Sequence, residues 1–159
     1  MSGVTTTAVD DRPVRTREAN RADLLAVFRI EKASFAQPWP YRAFERFLDE
    51  PGFLVADSGE VVGYVLADAT PRGGRPIGHV KDIAVAPFAR GRGVGATLLG
   101  RAIDVMRERN AGSVRLEVRE SNDPALALYR RFGFTHRSTS PGYYDDGENA
   151  LVLVRDLVE

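Results

Sequence analysis

Stretches of alternating apolar and polar residues take turns along this chain with stretches of helical spacing. Val14–Glu18 reads as a first strand. Over Asp23–Phe35, residues Leu24, Val27, Phe28 and Ala33 fall near helical spacing, which predicts an amphipathic helix. Gln37-Pro38-Trp39-Pro40 breaks it. Pro40 then suits the first turn of a second helix, with Phe44, Phe47 and Leu48 on one face, and Pro51-Gly52 stops that helix. Phe53–Asp57 and Val61–Ala69 flank Ser58-Gly59-Glu60 and form a hairpin pattern. Ile77–Ala86 is a third long strand. Val94, Leu98, Leu99, Ala102, Ile103, Val105 and Met106 mark a wide helical stripe, with Gly112 as its expected C-cap. Val114–Val118 is a short strand. Asp123 is the expected N-cap of a last helix, with Pro124 in its first turn and Gly133 at its end. Phe134–Ser138 and Ala150–Leu157 finish as strands. The order is mixed α/β.

Composition narrows the classes. The 159 residues suffice for one domain with one sizeable core. Hydrophobic residues make up 43% and charged residues 28%, which excludes a chain disordered throughout. The apolar runs fall short of the roughly 18 residues that a membrane span needs. The absence of cysteine excludes disulfides, Cys-ligated metal and thiol catalysis. With two histidines, His79 and His136, no metal site is expected. Residues 1–12 are Thr-rich, lack an apolar signal core and read as a disordered tail before a domain over residues 13–159. A cytoplasmic protein is expected, with neither membrane nor direct nucleic-acid binding, as a monomer or weak dimer.

The net charge is zero, but its distribution is uneven. Lys81–Arg119 carries eight basic and four acidic residues; Ser138–Glu159 carries one and five. A basic middle suits an anionic ligand, and ordinary solvated surface explains it equally well.

Candidate chemistry starts at Pro87–Gly95, a Gly- and Arg-rich loop between a strand and a helix. Glycines let backbone approach a ligand, and free N–H groups at a helix N-terminus attract anions. Arg90 and Arg92 add cations. A Walker A loop is excluded, because no Gly-Lys-Ser/Thr follows. The dinucleotide fingerprint fits as Gly91-x-Gly93-x-x-Ala96, with Glu117 about 20 residues on, but one β-α-β unit among hairpins is too few for that fold. A tight turn with no ligand remains the plain alternative.

Arg90-Gly91-Arg92-Gly93-Val94-Gly95 resembles the Arg/Gln-x-x-Gly-x-Gly/Ala motif of the GNAT acetyltransferases. Three further stretches extend the resemblance from about Val14 to Leu157. Leu116-Glu117-Val118-Arg119-x-Ser121-Asn122, followed by Ala125, Leu128-Tyr129 and Gly133-Phe134, looks like the second signature of the protein N-terminal acetyltransferases. Ala33-Ser34-Phe35-x-x-Pro38-Trp39 resembles the substrate loop of the RimI-type enzymes, and Tyr143-Tyr144 with Glu148-Asn149-Ala150 their C-terminal loop. The resemblance implies a single-domain GNAT fold: a mixed, mostly antiparallel twisted sheet with helices on both faces, splayed near Val85 and Val118. It implies that Ile83, Ala84 and Val85 pair with the pantetheine arm of acetyl-CoA. The loop Arg90, Gly91, Arg92, Gly93, Val94, Gly95 and Ala96 would hold the pyrophosphate, and Asn122 would touch the cofactor.

Acetyl transfer to an amine needs a neutral nucleophile, a stabilised oxyanion and a protonated leaving thiolate. An α-amine of pKa ≈ 7.7–8.0 is about 10–15% neutral at pH 7, a lysine amine only about 0.04%, so a modest base suffices for an N-terminus. Glu117 shares a strand face with Arg115 and Arg119, so from spacing alone it is a paired surface carboxylate. The resemblance assigns it as the general base and Tyr129 as the general acid. Related enzymes can carry a second base where His79 stands; here a strand histidine without catalytic role is the simpler reading. Phe35, Trp39, Tyr143 and Tyr144 would wall a slot for a peptide N-terminus, and Asp145, Asp146 and Glu148 would draw a basic peptide, a ribosomal-protein tail included. Ser140-Pro141-Gly142 and Glu148-Asn149-Ala150 depart from the bacterial RimI pattern and leave room for broader substrates. Acetylation of protein N-terminal α-amines is the function expected. A small-molecule amine acetyltransferase and a non-catalytic acyl-CoA-binding module are the alternatives.

Overall fold

The structure is a computed structural model that describes residues 13–158, so the expected tail over residues 1–12 lies outside the described residues. The strands are β1 (Arg15–Glu18), β2 (Phe53–Asp57), β3 (Val61–Thr70), β4 (Ile77–Val85), β5 (Ser113–Arg119), β6 (Thr135–Ser140) and β7 (Ala150–Asp156). The helices are α1 (Leu24–Ser34), α2 (Tyr41–Glu45), α3 (Val94–Glu108) and α4 (Asp123–Arg131). All seven strands join one sheet in the order β1-β2-β3-β4-β5-β7-β6. Every pairing is antiparallel except β4 with β5, which α3 connects as a crossover. Among the described residues no helix is long and apolar enough to cross a membrane.

Strand alternation divides the core between the two faces. Phe53 and Val55 of β2, with Tyr64 and Leu66 of β3, pack with Leu24, Val27 and Ile30 of α1 and Phe44 of α2. Leu54, Ala56, Val65 and Ala67 point the other way, onto Leu98, Leu99, Ala102 and Ile103 of α3 and Leu126 and Tyr129 of α4. On β5, Val114, Leu116 and Val118 are buried, as the alternation predicts.

Three local expectations are corrected. Ala33 is exposed, because the inner stripe of α1 runs through Leu24, Val27, Ile30 and Glu31. The turn after α3 is made by Asn110 at φ 65°, with Ala111 N–H donating to Met106 O; Gly112 instead joins strands, donating to Pro76 O and accepting from Leu157 N–H. An asparagine tolerates the left-handed conformation well enough to end a helix. Asn122, not Asp123, caps α4: its side-chain oxygen accepts from Ala125 N–H at 3.3 Å, and Asp123 stands in the first turn.

Candidate active site

β4 and β5 pair only over Ile77–His79 and Ser113–Arg115. β4 runs on to Val85 and β5 to Arg119, so the sheet splits beyond His79. A bulge sits at the split: Leu66 pairs with Asp82 and Ala67 with Val80, which leaves Lys81 as an extra residue on β4. The split opens into a cleft of about 520 Å³.

His79 and Glu117 meet in this cleft, with Nε2 2.7 Å from Oε1. Arg115 Nε stands 3.4 Å from the other carboxylate oxygen. Burial pushes the Glu117 carboxyl up, but the hydrogen bond to His79 and the charges of His79, Arg115 and Lys81 outweigh it and hold the carboxyl below the ordinary glutamate value. His79 is therefore partnered to Glu117 and not an isolated strand histidine. Tyr129 also lines the cleft, from α4. Burial first, then the charges of Asp82 and Tyr144, push its hydroxyl well above the ordinary tyrosine value, so it keeps its proton at neutral pH.

Phe35 and Trp39 enter from the loop after α1, and Tyr143 and Tyr144 from the β6–β7 connection. Trp39 also belongs to the core, with its ring 5.6 Å from Phe44 and 6.2 Å from Phe47. Tyr143 and Tyr144 meet edge to face at 5.0 Å. The Arg119 guanidinium lies 4.1 Å over the Tyr144 ring and donates to Asp146 Oδ2 and Glu148 Oε1, each at 2.8 Å. Glu148 also accepts from Ser121 N–H at 2.9 Å. Two of the three acids expected to draw a basic peptide are thus engaged by Arg119, and only Asp145 stays outside that knot.

The glycine loop follows β4. Gly91 and Gly93 both take φ 80°, and a Cβ at either would meet nothing within 4 Å. Glycine is demanded there by backbone conformation, not by crowding. Gly93 is the N-cap of α3, and Thr97 N–H is bonded back to Gly93 O at 3.0 Å. The amides of Val94, Gly95 and Ala96 lie in that first turn, ahead of the intrahelical ladder. Two left-handed glycines before a helix N-terminus, with open space on their side-chain face, form a cradle that an anionic group fits. The Arg90 side chain braces this loop: Nε donates to Val85 O at 3.0 Å and a terminal nitrogen to Ser34 Oγ at 3.3 Å. Arg92 is exposed. Ile83 lines the cleft, Ala84 packs toward α1, and Val85 packs toward α3. Asn122 lines the cleft beside its helix cap.

Sequence reasoning missed Glu31, Tyr64 and Asp82. The Tyr64 hydroxyl, fully buried, donates to Glu31 Oε1 and lies 3.1 Å from Asp82 Oδ2. Glu31, 2% exposed, accepts from Trp39 N–H at 2.8 Å through its other oxygen. The one signal available was a glutamate at a position spaced with Leu24 and Val27 on the inner face of α1.

A split sheet, two left-handed glycines ahead of a helix N-terminus, and a carboxylate–imidazole pair sharing a cleft with a protonated tyrosine fit a group transferase that uses an anionic cofactor. Residues 24–134 match the acetyltransferase (GNAT) family, and the chain belongs to that family. It is an acetyltransferase with acetyl-CoA as co-substrate. It is 37% identical over 154 residues to an N-alpha-acetyltransferase of Sulfolobus acidocaldarius, covering 89% of this chain and 91% of the relative. It is 32% identical over 144 residues to the ribosomal protein bS18-alanine N-acetyltransferase of Escherichia coli, covering 82% and 89%. The crystal structure of Ard1 from Thermoplasma volcanium matches with a TM-score of 0.84 at 31% identity, over 92% of this chain and 99% of that one.

Proposed function

We propose that this acetyltransferase modifies the N-terminal α-amine of a protein or peptide, with the His79–Glu117 pair accepting the amine's proton and Tyr129 protonating the leaving thiolate. The observation that carries the reading is the state of Glu117. A carboxylate held below its ordinary value is a weak base. It suits an amine already about 10–15% neutral at pH 7 and serves a lysine poorly. The aromatic mouth of Phe35, Trp39, Tyr143 and Tyr144 admits an extended chain end. The relatives named for α-amine acetylation support the same substrate class.

Acetyl-CoA supplies an acyl group activated as a thioester. Gly91, Gly93 and the first-turn amides of α3 would hold its pyrophosphate. The stretch of β4 over Ile83–Val85, paired with β3 and open on its β5 side, would lie along its arm, with Asn122 on the cleft wall. The amine nitrogen attacks the acyl carbon, so a C–N bond forms and the C–S bond breaks. The proton lost from nitrogen passes to the His79–Glu117 pair, directly or through one water, and the sulfur takes the Tyr129 proton. Tyr129 is protonated at neutral pH, so its O–H is in place to hydrogen-bond the departing sulfur.

The test is acetyl transfer to short peptides presented with free and with blocked N-termini at fixed lysine content. Acetylation of the free N-termini alone is expected. Equal acetylation of blocked, lysine-bearing peptides would overturn the α-amine reading, and its first-residue profile would separate a ribosomal-protein substrate from a broader range.

A further inference from the structure

Glu31, Tyr64 and Asp82 come from α1, β3 and β4; Glu31 and Asp82 line the cleft, and the buried Tyr64 hydroxyl meets both. Their contacts fix a count of protons. Glu31 uses one oxygen for Trp39 N–H and the other for the Tyr64 hydroxyl. Tyr64 has a single proton and two oxygen neighbours, Glu31 Oε1 and Asp82 Oδ2. Two hydrogen bonds along this line need two protons, so one of the two carboxyls must carry a proton as well. With both ionised, lone pairs would face each other at 3.1 Å in a buried site.

We propose that Asp82 is a positioning residue for the amine substrate: as a protonated carboxyl it completes the Glu31–Tyr64–Asp82 chain that ties the Trp39 backbone, and with it the substrate loop, to the cofactor strand. The inference rests on the reading that the peptide enters past that loop. Asp82 follows the bulged Lys81 and precedes Ile83, so the chain joins the strand expected to carry the acyl donor to the wall expected to carry the acceptor. Burial first, then the Glu31 carboxyl beside it, push the Asp82 carboxyl up to about 9, with Ile83 N–H opposing. The groups facing it are Glu31 from α1, Tyr64 from β3 and Tyr129 from α4. Lys81 is its neighbour on β4, and the His79–Glu117 pair, Arg119 and Tyr144 share the cleft. Ionisation of Asp82 places a second negative charge beside Glu31 and releases the Trp39 loop.

Trp39 is the only tryptophan, so its emission reports the loop without substrate. In the wild-type protein, iodide quenching of that emission should rise between pH 8 and 10. The step should be absent in Asp82→Asn, whose amide donates as the protonated acid does, and in Glu31→Gln, which removes the second carboxylate. At pH 9.5 the peptide KM of wild type should exceed that of Asp82→Asn by roughly fivefold, the size of one lost hydrogen bond, with acetyl-CoA KM within about twofold. A flat wild-type quenching profile, or the same step at the same midpoint in both variants, would overturn the proposal. Emission needs no turnover, so inactivity toward peptides would count against the α-amine reading alone.

Discussion

Replacing Glu117 by Gln tests the base most directly. The amide keeps the shape and a carbonyl that can accept from His79 Nε2, now at 2.7 Å, and removes only the charge. The size of the loss follows from the base. At pH 7 an α-amine of pKa ≈ 7.7–8.0 is about 10–15% neutral, so an enzyme without its base can still draw on that fraction. Wild type draws on the same fraction, so supply cancels from the comparison. What remains is the loss of proton acceptance during attack, and a weak base contributes at or below the low end of the usual range of about 10²-fold and above. We expect kcat/KM to fall between about 10-fold and 100-fold at pH 7. At pH 9 the amine is about 90% neutral for both enzymes, so both rates should rise together and the deficit should stay nearly constant. The assay is thiol release from acetyl-CoA with a free-N-terminus peptide from pH 6 to 9.5. Because Glu117 titrates below the ordinary glutamate value, the wild-type decline from pH 8 to 6 should follow the substrate amine and not this carboxylate. Activity of Glu117→Gln within twofold of wild type at pH 7, or a deficit that disappears by pH 9, would refute the reasoning.

Tyr129→Phe keeps the ring packed 6.0 Å from Phe134 and should lower kcat at least about tenfold while leaving acetyl-CoA KM near wild type, read by steady-state kinetics. Gly93→Ala places a Cβ at φ 80°, a strain of about 1–2 kcal/mol, and should raise acetyl-CoA KM with little effect on peptide KM. Arg119→Ala frees Tyr144, Asp146 and Glu148 together and should raise peptide KM several-fold, with acetyl-CoA KM unchanged. Asp82 gives a stability signature of definite sign. Its carboxyl is raised from 3.8 to about 9 on folding, so its contribution is fully present below pH 3.8 and is lost as pH rises through about 9. Thermal melts should therefore show Asp82→Asn gaining on wild type as pH rises from 5 to 9; a constant difference would contradict the assigned direction.

The strands and helices were legible because each carries its own period. β5 shows it plainly, with Val114, Leu116 and Val118 inside and Arg115, Glu117 and Arg119 on the other face. The glycine turn before α3 was legible too, because Gly91 and Gly93 lie two residues apart and their conformation is local. The pairing of His79 with Glu117 was not. It joins residues 38 apart, and it depends on β4 and β5 being parallel neighbours for just three residue pairs. The engagement of Asp146 and Glu148 by Arg119 was likewise hidden: counting charges along the chain gives a net sign for a segment, not the partner that cancels it.

Glu31, Tyr64 and Asp82 show the limit more sharply. Each has an ordinary local explanation: a helix glutamate, a strand aromatic, an acid in a polar stretch. Tyr64 lies on the α1 side of the sheet because Val65 and Ala67 take the other face, and Leu66 pairs with Asp82 immediately beside the bulge. Were Lys81 paired in regular register instead of bulged, the alternation of β4 would be unbroken, and Asp82 would share a face with Val80, which packs toward α3. That one residue of register reverses the strand's faces between Val80 and Asp82. The same irregularity falls where β4 leaves β5, so the feature that brings a carboxyl under the substrate loop also belongs to the opening of the cleft. The sheet's departure from regular pairing, more than any single side chain, opens the cleft in which amine and cofactor are proposed to meet.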